Sequence, residues 1–90
     1  MINRRKRRDA NHRELVAAFE QCGWRTLDTS QIGDGAPDLV VSRGGRTVAV
    51  EIKVATGKVK PHQAAWLAAW GGEVAIVRGL EDVAALSGAR

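Results

Sequence analysis

The chain has 90 residues, of which 44% are hydrophobic, and a formal net charge of +4 at pH 7. That length suits one domain with its own hydrophobic core and room for one active site. No apolar run approaches the roughly 20 residues that cross a bilayer, and no apolar segment follows the basic N-terminal residues as in a secretion signal. With one cysteine and two histidines, an intrachain disulfide and a Cys/His zinc cluster are excluded, so any metal is expected to have oxygen ligands.

The positive charge is concentrated at the N-terminal end. Residues 1–13 carry six basic side chains and one acidic side chain, whereas residues 14–90 carry eight basic and nine acidic ones. We interpret residues 1–10 as a basic arm and residues 11–90 as one domain; the basic residues of the arm are Arg4, Arg5, Lys6, Arg7 and Arg8. Such a run binds phosphate backbones without sequence preference and in a salt-dependent way. A solvated, disordered end that aids solubility is an equally open interpretation.

A helix is predicted from Asp9 to Cys22. Apolar residues recur there at intervals of three and four, the spacing of a helix with one buried face; they are Leu15, Val16, Ala18, Phe19 and Cys22. Gly23 ends the pattern. Asn11 is a candidate N-cap, and Glu14, three residues later, completes the pattern of a capping box.

Strands are predicted next. The segment WRTLDTS favours a short strand, and QIGDGA a turn-rich loop. Pro37 opens the strand DLVVSR, and Gly44-Gly45 predicts a tight two-residue hairpin turn into RTVAVEIKVA. Side chains alternate along that last strand, so one face is expected to be apolar core, and the other carries Glu51 beside Lys53.

The second half of the chain alternates between helix and strand. After the basic segment GKVK, Pro61 suits the first turn of a helix, PHQAAWLAAW, that ends at Gly71-Gly72. EVAIVRG predicts a strand buried on both faces, and LEDVAALSG a short closing helix. The predicted fold is therefore α/β, in the order α-β-β-β-α-β-α, with a sheet flanked by helices.

Two short motifs flank the predicted hairpin. Pro37-Asp38 opens its first strand and Glu51-Ile52-Lys53 lies in its second, so the turn is expected to bring Asp38 close to Glu51. This pattern resembles the PD-(D/E)xK nuclease motif. With a first-helix glutamate, a Gly-rich loop before Pro-Asp and a Pro-x-Gln-x-x-Trp helix, the chain resembles the virus-type replication-repair nuclease (VRR-NUC) domain over about residues 12–83.

The resemblance has implications for fold and setting. It implies a restriction-endonuclease-like core with a mixed sheet. Stand-alone domains of this type are typical of bacteriophages and prophages. The expected location is therefore the cytoplasm of a bacterial or phage-infected cell.

The motif residues suit hydrolysis of a phosphodiester with a divalent ion, which neutralises charge and activates water. Asp38 and Glu51, with the main-chain carbonyl of Ile52 and several waters, supply the oxygen shell that Mg²⁺ or Mn²⁺ prefers. Lys53 is expected to orient the attacking water and to stabilise charge in the transition state. Taken singly, Asp38 also suits a turn, and Glu51 with Lys53 an ordinary polar strand face. Their order along the chain favours the metal site.

Further candidates lie around this set. Glu14 is either a helix cap or, as the resemblance implies, a first-helix residue that reaches the catalytic site and its metal, and the sequence leaves both roles open. The resemblance places Gln63 beside the catalytic lysine. Lys60 stands where the family commonly has Ser or Thr as a helix cap, so we interpret it, with Lys58, as a phosphate contact.

Other prominent side chains receive structural interpretations. Trp66 and Trp70 lie four residues apart on one helical face and are interpreted as core or interface rather than as base-stacking platforms. His12 and His62 are expected at the surface. Asp34, in the Gly-rich loop, is an outside candidate for a second metal.

The pattern as a whole favours a metal-dependent endonuclease that acts on DNA with little sequence preference. The resemblance implies a resolvase of branched DNA, such as four-way junctions, that leaves a 5′-phosphate and a 3′-hydroxyl. Symmetric cutting of a junction needs two active sites, so a homodimer is expected. Two alternatives stay open: a non-catalytic DNA-binding module with the same fold, and a monomeric flap-type nuclease.

Overall fold

The computed structural model describes residues 4–88, with side chains from residue 10 onwards. Its helices and strands follow one another in the predicted order, which confirms the α/β class. They are α1 (Arg4–Gln21), β1 (Arg25–Asp28), β2 (Leu39–Arg43), β3 (Arg46–Ile52), α2 (Pro61–Ala69), β4 (Glu73–Val77) and α3 (Leu80–Gly88). No helix in this described part is long and apolar enough to cross a membrane.

The strands form one mixed sheet in the order β1-β2-β3-β4. β2 is antiparallel to both β1 and β3, whereas β3 and β4 are parallel and are joined through α2. The turn between β2 and β3 has φ angles of 56° at Gly44 and 84° at Gly45. Two positive φ values in succession suit glycine and match the right-handed twist of a hairpin, so the predicted two-residue turn is confirmed.

The core lies between one face of the sheet and helices α1 and α3. Leu39 stands opposite Val50, and Val41 opposite Val48, so alternate positions of β2 and β3 build one apolar face. The buried cluster consists of Leu15, Phe19, Trp24, Leu39, Val41, Val48, Val50, Val77 and Val83. This packing fixes the register of the hairpin, because a slip by one residue would turn these side chains away from the helices.

The start of the first helix differs from the prediction. α1 begins at Arg4 rather than near Asp9, so Asn11 lies inside the helix and is not its N-cap. The capping-box role of Glu14 is wrong for the same reason. Arginine and lysine are good helix formers, and the basic segment therefore continues the helix in the N-terminal direction.

The expected burial of β4 is also wrong. β4 lies at an edge of the sheet, and its residues Glu73 and Val74 are exposed. β3 is the strand with both faces covered: its residues Val48 to Glu51 are all buried. The apolar composition of β4 does not distinguish a central strand from an edge strand, because that difference depends on which strands pair with it.

Candidate active site

Asp38 and Glu51 meet at the open end of the β2–β3 hairpin. Leu39 is paired with Val50, so continuing the register by one residue places Asp38 opposite Glu51. Asp38 Oδ2 accepts a hydrogen bond from the Ile52 backbone N–H at 2.8 Å. Both carboxylates line a cavity of about 500 Å³. The hairpin thus brings together two acidic residues that stand far apart in the sequence.

Gln63, in the first turn of α2, joins Glu51 to Lys53. Its Nε2 donates a hydrogen bond to Glu51 Oε2 at 2.9 Å, and its Oε1 accepts one from Lys53 Nζ at 2.8 Å. Lys53 Nζ also lies 3.2 Å from Glu51 Oε2. The same Oε1 accepts a bond from the Lys60 backbone N–H at 3.0 Å, so this amide caps its own helix and fixes both charged groups.

Glu51 is only 2% exposed. This burial raises the pKa of its carboxyl group, and the negative charge of Asp38 raises it further. Lys53 opposes the shift through its hydrogen bond and its positive charge. A buried carboxylate beside a second carboxylate is less stable when ionised, because little water remains to solvate the two charges. A cation between them would remove that repulsion.

The donor set fits a hard divalent ion. Asp38, Glu51 and the main-chain carbonyl of Ile52 offer oxygen only, which is the ligand type that Mg²⁺ prefers. Among the described residues, no group of three or more His, Cys, Asp or Glu side chains is placed to hold a metal. A site here therefore relies on two carboxylates, main-chain oxygen and water.

The loop before Asp38 is anchored by Thr29. Thr29 is buried; its Oγ1 donates a hydrogen bond to the Pro37 carbonyl at 2.6 Å, and its backbone N–H donates one to the Asp38 carbonyl at 3.0 Å. These bonds hold the Pro-Asp step in place. Thr29 was missed from the sequence, where a threonine at the end of a short strand carries no distinctive signal.

The same loop packs closely against α2 through Gly35. Its φ is 82°, and a Cβ atom there would lie 2.5 Å from the carbonyl oxygen of His62. Only glycine fits such a position. The glycines of this loop were a visible feature of the sequence, but their contact with α2 depends on the tertiary structure.

Arg78 holds the turn that follows Lys53. Its Nη1 donates hydrogen bonds to the carbonyl oxygens of Val54 at 2.9 Å and Gly57 at 2.6 Å. Val54 and Gly57 line the cavity, so Arg78 stabilises its wall without entering it. Nothing in the sequence around Arg78 indicated this contact.

The other wall of the cavity comes from α1 and the loop after β1. Its residues are Asn11, His12, Ser30 and Gln31. His12, which was expected at the surface, is half-buried, with 20% of its side chain exposed. Glu14 is exposed and is not among the described residues that line the cavity. The structure therefore brings His12, and not Glu14, towards the two carboxylates.

The other predicted positions lie around the cavity or away from it. Lys58 is exposed and lines the cavity, and Lys60 is exposed at the N-cap of α2. Asp34 is exposed and does not line it. Five predicted DNA contacts stand in the first turns of α1, with side chains outside the described part: Arg4, Arg5, Lys6, Arg7 and Arg8.

Comparison with known proteins identifies the family. The family model for the archaeal Holliday junction resolvase (Hjc) matches residues 3–83. The chain belongs to the Hjc family. Its structure is also similar to a solved VRR_NUC domain, with a TM-score of 0.67, 30% sequence identity and 90% of each chain covered. No curated protein matches it.

Hjc and VRR-NUC are both families of PD-(D/E)xK nucleases, so the resemblance inferred from the sequence is confirmed. The matched range of the Hjc-family chain extends from the start of α1 into α3. It therefore includes the whole cavity wall formed by Asp38, Glu51, Lys53 and Gln63.

Proposed function

We propose that this Hjc-family chain is a divalent-metal-dependent endonuclease that hydrolyses DNA at branched structures such as four-way junctions. The observation that carries the proposal is one hydrogen-bonded unit, Glu51–Gln63–Lys53, beside Asp38 in one cavity. A DNA-binding module without catalysis has no use for a buried carboxylate whose pKa is raised by its surroundings, whereas active sites commonly contain such groups.

The residues have distinct roles in this proposal. Asp38, Glu51 and the Ile52 carbonyl hold Mg²⁺ or Mn²⁺, which when bound supplies charge neutralisation and an activated water. Lys53 has three N–H donors, and its contacts with Gln63 and Glu51 leave one for the attacking water and for charge that develops on the phosphate. Hydrolysis then yields a 5′-phosphate and a 3′-hydroxyl.

The basic residues extend the DNA-binding surface beyond the cavity. Lys58 and Lys60 flank it on the side of α2. On the other side, Arg8 and Arg4 stand one and two helical turns before His12 in α1. Binding through these charges is independent of sequence and sensitive to salt, which suits an enzyme that recognises DNA shape.

The proposed enzyme acts as a homodimer, and the sheet offers a surface for the second copy. Leu27, Val40, Ala49 and Val74 stand in register across the four strands, on the face opposite the core. Leu27 is 62% exposed and Val74 46% exposed. An apolar row that ends in two exposed side chains favours association.

Helix α2 lies on this same side of the sheet, because Gln63 reaches Glu51, which points in the direction of Ala49. None of the described residues of α2 is buried. Trp66 and Trp70 stack with their ring centroids 5.2 Å apart, and both remain partly exposed. A two-fold contact over this surface would supply the two active sites that symmetric junction cutting requires.

Sedimentation at micromolar concentration tests the dimer. We expect Val74→Glu and Leu27→Glu to shift the chain to a monomer, because each places a charge in the contact. Leu80→Glu is the matched control, since Leu80 is 50% exposed but lies on α3, on the other side of the sheet. A wild-type monomer that gives single nicks in a junction held in a supercoiled circle would contradict the dimeric resolvase and leave the nuclease assignment intact.

Cleavage of labelled four-way junction, flap and duplex substrates, with Mg²⁺ and with EDTA, tests the proposed activity. We expect the junction to be cut fastest, in Mg²⁺ only. Binding to all three substrates without cutting would contradict the proposed catalytic activity and favour a DNA-binding module. A monomer that cuts the flap substrate fastest would contradict the assignment as a junction resolvase and favour a flap-type nuclease.

A further inference from the structure

His12 lines the cavity, and its ring nitrogen Nε2 is buried. Its Nε2 is 3.6 Å from Asp28 Oδ2 and makes no hydrogen bond to any described residue. That distance is slightly too long for a hydrogen bond, and buried polar atoms in folded proteins nearly always have a partner. In the free chain, the imidazole of His12 is therefore close to a hydrogen bond with Asp28 but does not form it.

Asp28 is held in a fixed orientation by Ser30. Asp28 Oδ1 accepts hydrogen bonds from the Ser30 backbone N–H at 2.9 Å and from Ser30 Oγ at 2.6 Å. These two bonds are the main reason that the pKa of Asp28 is lowered, so the carboxylate is anionic at neutral pH. Its other oxygen, Oδ2, faces His12. Ser30 and His12 line the cavity, whereas Asp28 lines a second hollow that His12 shares.

We infer that His12, oriented by Asp28, is a further catalytic residue whose imidazole hydrogen-bonds a phosphate oxygen of the DNA strand that is cut. This inference rests on the proposed nuclease function. Asp38, Glu51 and Lys53 occupy the wall built by β2, β3 and the residues that follow. On the wall built by α1 and the β1–β2 loop, His12 is the ionisable side chain among the described lining residues.

The chemistry of the ring explains why this position suits an imidazole. A carboxylate at one ring nitrogen fixes the orientation of the ring and favours a proton on that nitrogen. Nε2 faces Asp28, so Nδ1 is the ring nitrogen that donates to a phosphate oxygen; an imidazole that donates from both nitrogens carries a positive charge. The neighbouring Asn11 and Gln31 side chains are neutral and cannot supply this charge.

Single-turnover cleavage of a four-way junction tests the inference, with the chain's other histidine as the matched control. We expect His12→Ala to cut about 10²-fold more slowly, the effect of losing one donor to developing charge. Asp28→Asn should cut about 10-fold more slowly, as for loss of an orienting partner. His62→Ala, which changes an exposed residue, should cut at the wild-type rate.

Two results separate a contact with DNA from a structural role. Added imidazole should restore part of the His12→Ala rate and none of the Lys53→Ala rate. His12→Ala that cuts at the wild-type rate, or a slow variant that imidazole does not rescue, would overturn the inference.

Nuclear magnetic resonance keeps the inference testable if His12→Ala fails to fold. In the His62→Ala chain His12 is the remaining histidine, and its ring ¹⁵N signals should shift when junction DNA is added with Ca²⁺. Unchanged signals at both ring nitrogens would overturn the contact. A wild-type chain that binds junctions but cuts none in Mg²⁺ would overturn the proposed function alone, because the same spectra still report whether His12 meets DNA.

Discussion

The two ends of the β2–β3 hairpin use charged side chains in opposite ways. At the turn end, the guanidinium carbons of Arg43 and Arg46 lie 4.8 and 5.2 Å from the ring centroid of buried Trp24. Trp24 Nε1 donates a hydrogen bond to Ser87 Oγ at 2.9 Å. Arg43 also donates to the carbonyl oxygen of Cys22 at 2.8 Å and to that of Ser87. The indole N–H and both guanidinium groups therefore have their partners within the chain.

At the open end the charges are only partly satisfied. Glu51 is buried with a raised pKa beside Asp38, and His12 lines the cavity with its Nε2 3.6 Å from Asp28 Oδ2, beyond hydrogen-bond distance. Charged side chains that stabilise the fold have their partners inside the molecule. Charged side chains at the cavity remain available to a metal ion and a substrate. The comparison predicts which substitutions reduce stability and which reduce activity.

Lys53→Ala should have the largest effect on activity. We expect single-turnover junction cleavage to fall by about 10²- to 10³-fold, the range for removing one preorganised donor to developing charge. Junction affinity measured in Ca²⁺ should change little, because one charge is a small part of the phosphate contacts. Glu81→Ala, at an exposed position of α3 on the other side of the sheet, is the control. A Lys53→Ala chain that cuts at the wild-type rate would remove Lys53 from the mechanism.

Trp24→Phe should reduce stability and leave activity unchanged. The variant keeps an aromatic ring in the core but loses the hydrogen bond to Ser87 and weakens the contacts with Arg43 and Arg46. We expect the free energy of unfolding to fall by about 1–2 kcal/mol, measured by denaturant titration. Cleavage at 25 °C by the folded protein should match the wild type; a slower rate at unchanged stability would show that the turn end acts on the active site.

Glu51→Gln should change stability and activity in opposite directions: cleavage slows, and stability in EDTA rises. Because its pKa is raised in the folded chain, Glu51 binds its proton more tightly there than in the unfolded chain. Its stabilising contribution is complete below the ordinary carboxyl pKa and is lost as the pH rises through the raised value. The advantage of the variant should therefore grow from acid to neutral pH.

Thermal unfolding measures this advantage. A gain of about 1 kcal/mol would raise Tm by about 4–8 °C for a chain of this size. Mg²⁺ should raise the Tm of the wild type and have less effect on Glu51→Gln. Glu81→Gln, at an exposed position of α3, is the control. A variant that is less stable than the wild type at neutral pH in EDTA would contradict the unfavourable ionisation of Glu51.

Neutralising the basic start of α1 should have the smallest effect, on binding alone. Glutamine at positions 4–8 preserves helix propensity and removes five positive charges. The slope of log affinity against log salt should become shallower by about 0.9 for each phosphate contact that is lost. An unchanged slope would show that this segment aids solubility and does not bind DNA.

Much of the fold was readable from the sequence because the signals are local. Gly44-Gly45 specifies a hairpin turn through its own backbone preferences, and the alternation in β3 places Glu51 and Lys53 on one face. The spacing around that turn predicts that Asp38 meets Glu51. Those features depend on φ/ψ preferences and on a period of two residues, which neighbouring elements do not alter.

The remaining features were decided by the tertiary structure. Whether β3 or β4 is buried on both faces depends on strand order, and strand order depends on how α2 crosses the sheet. The residue of α1 that reaches the cavity depends on the angle at which the helix packs, so His12 rather than Glu14 lines it. Thr29 and Arg78 act through backbone carbonyls that are distant in sequence from them. Such contacts leave no trace in residue spacing, because any exposed threonine or arginine has the same local pattern.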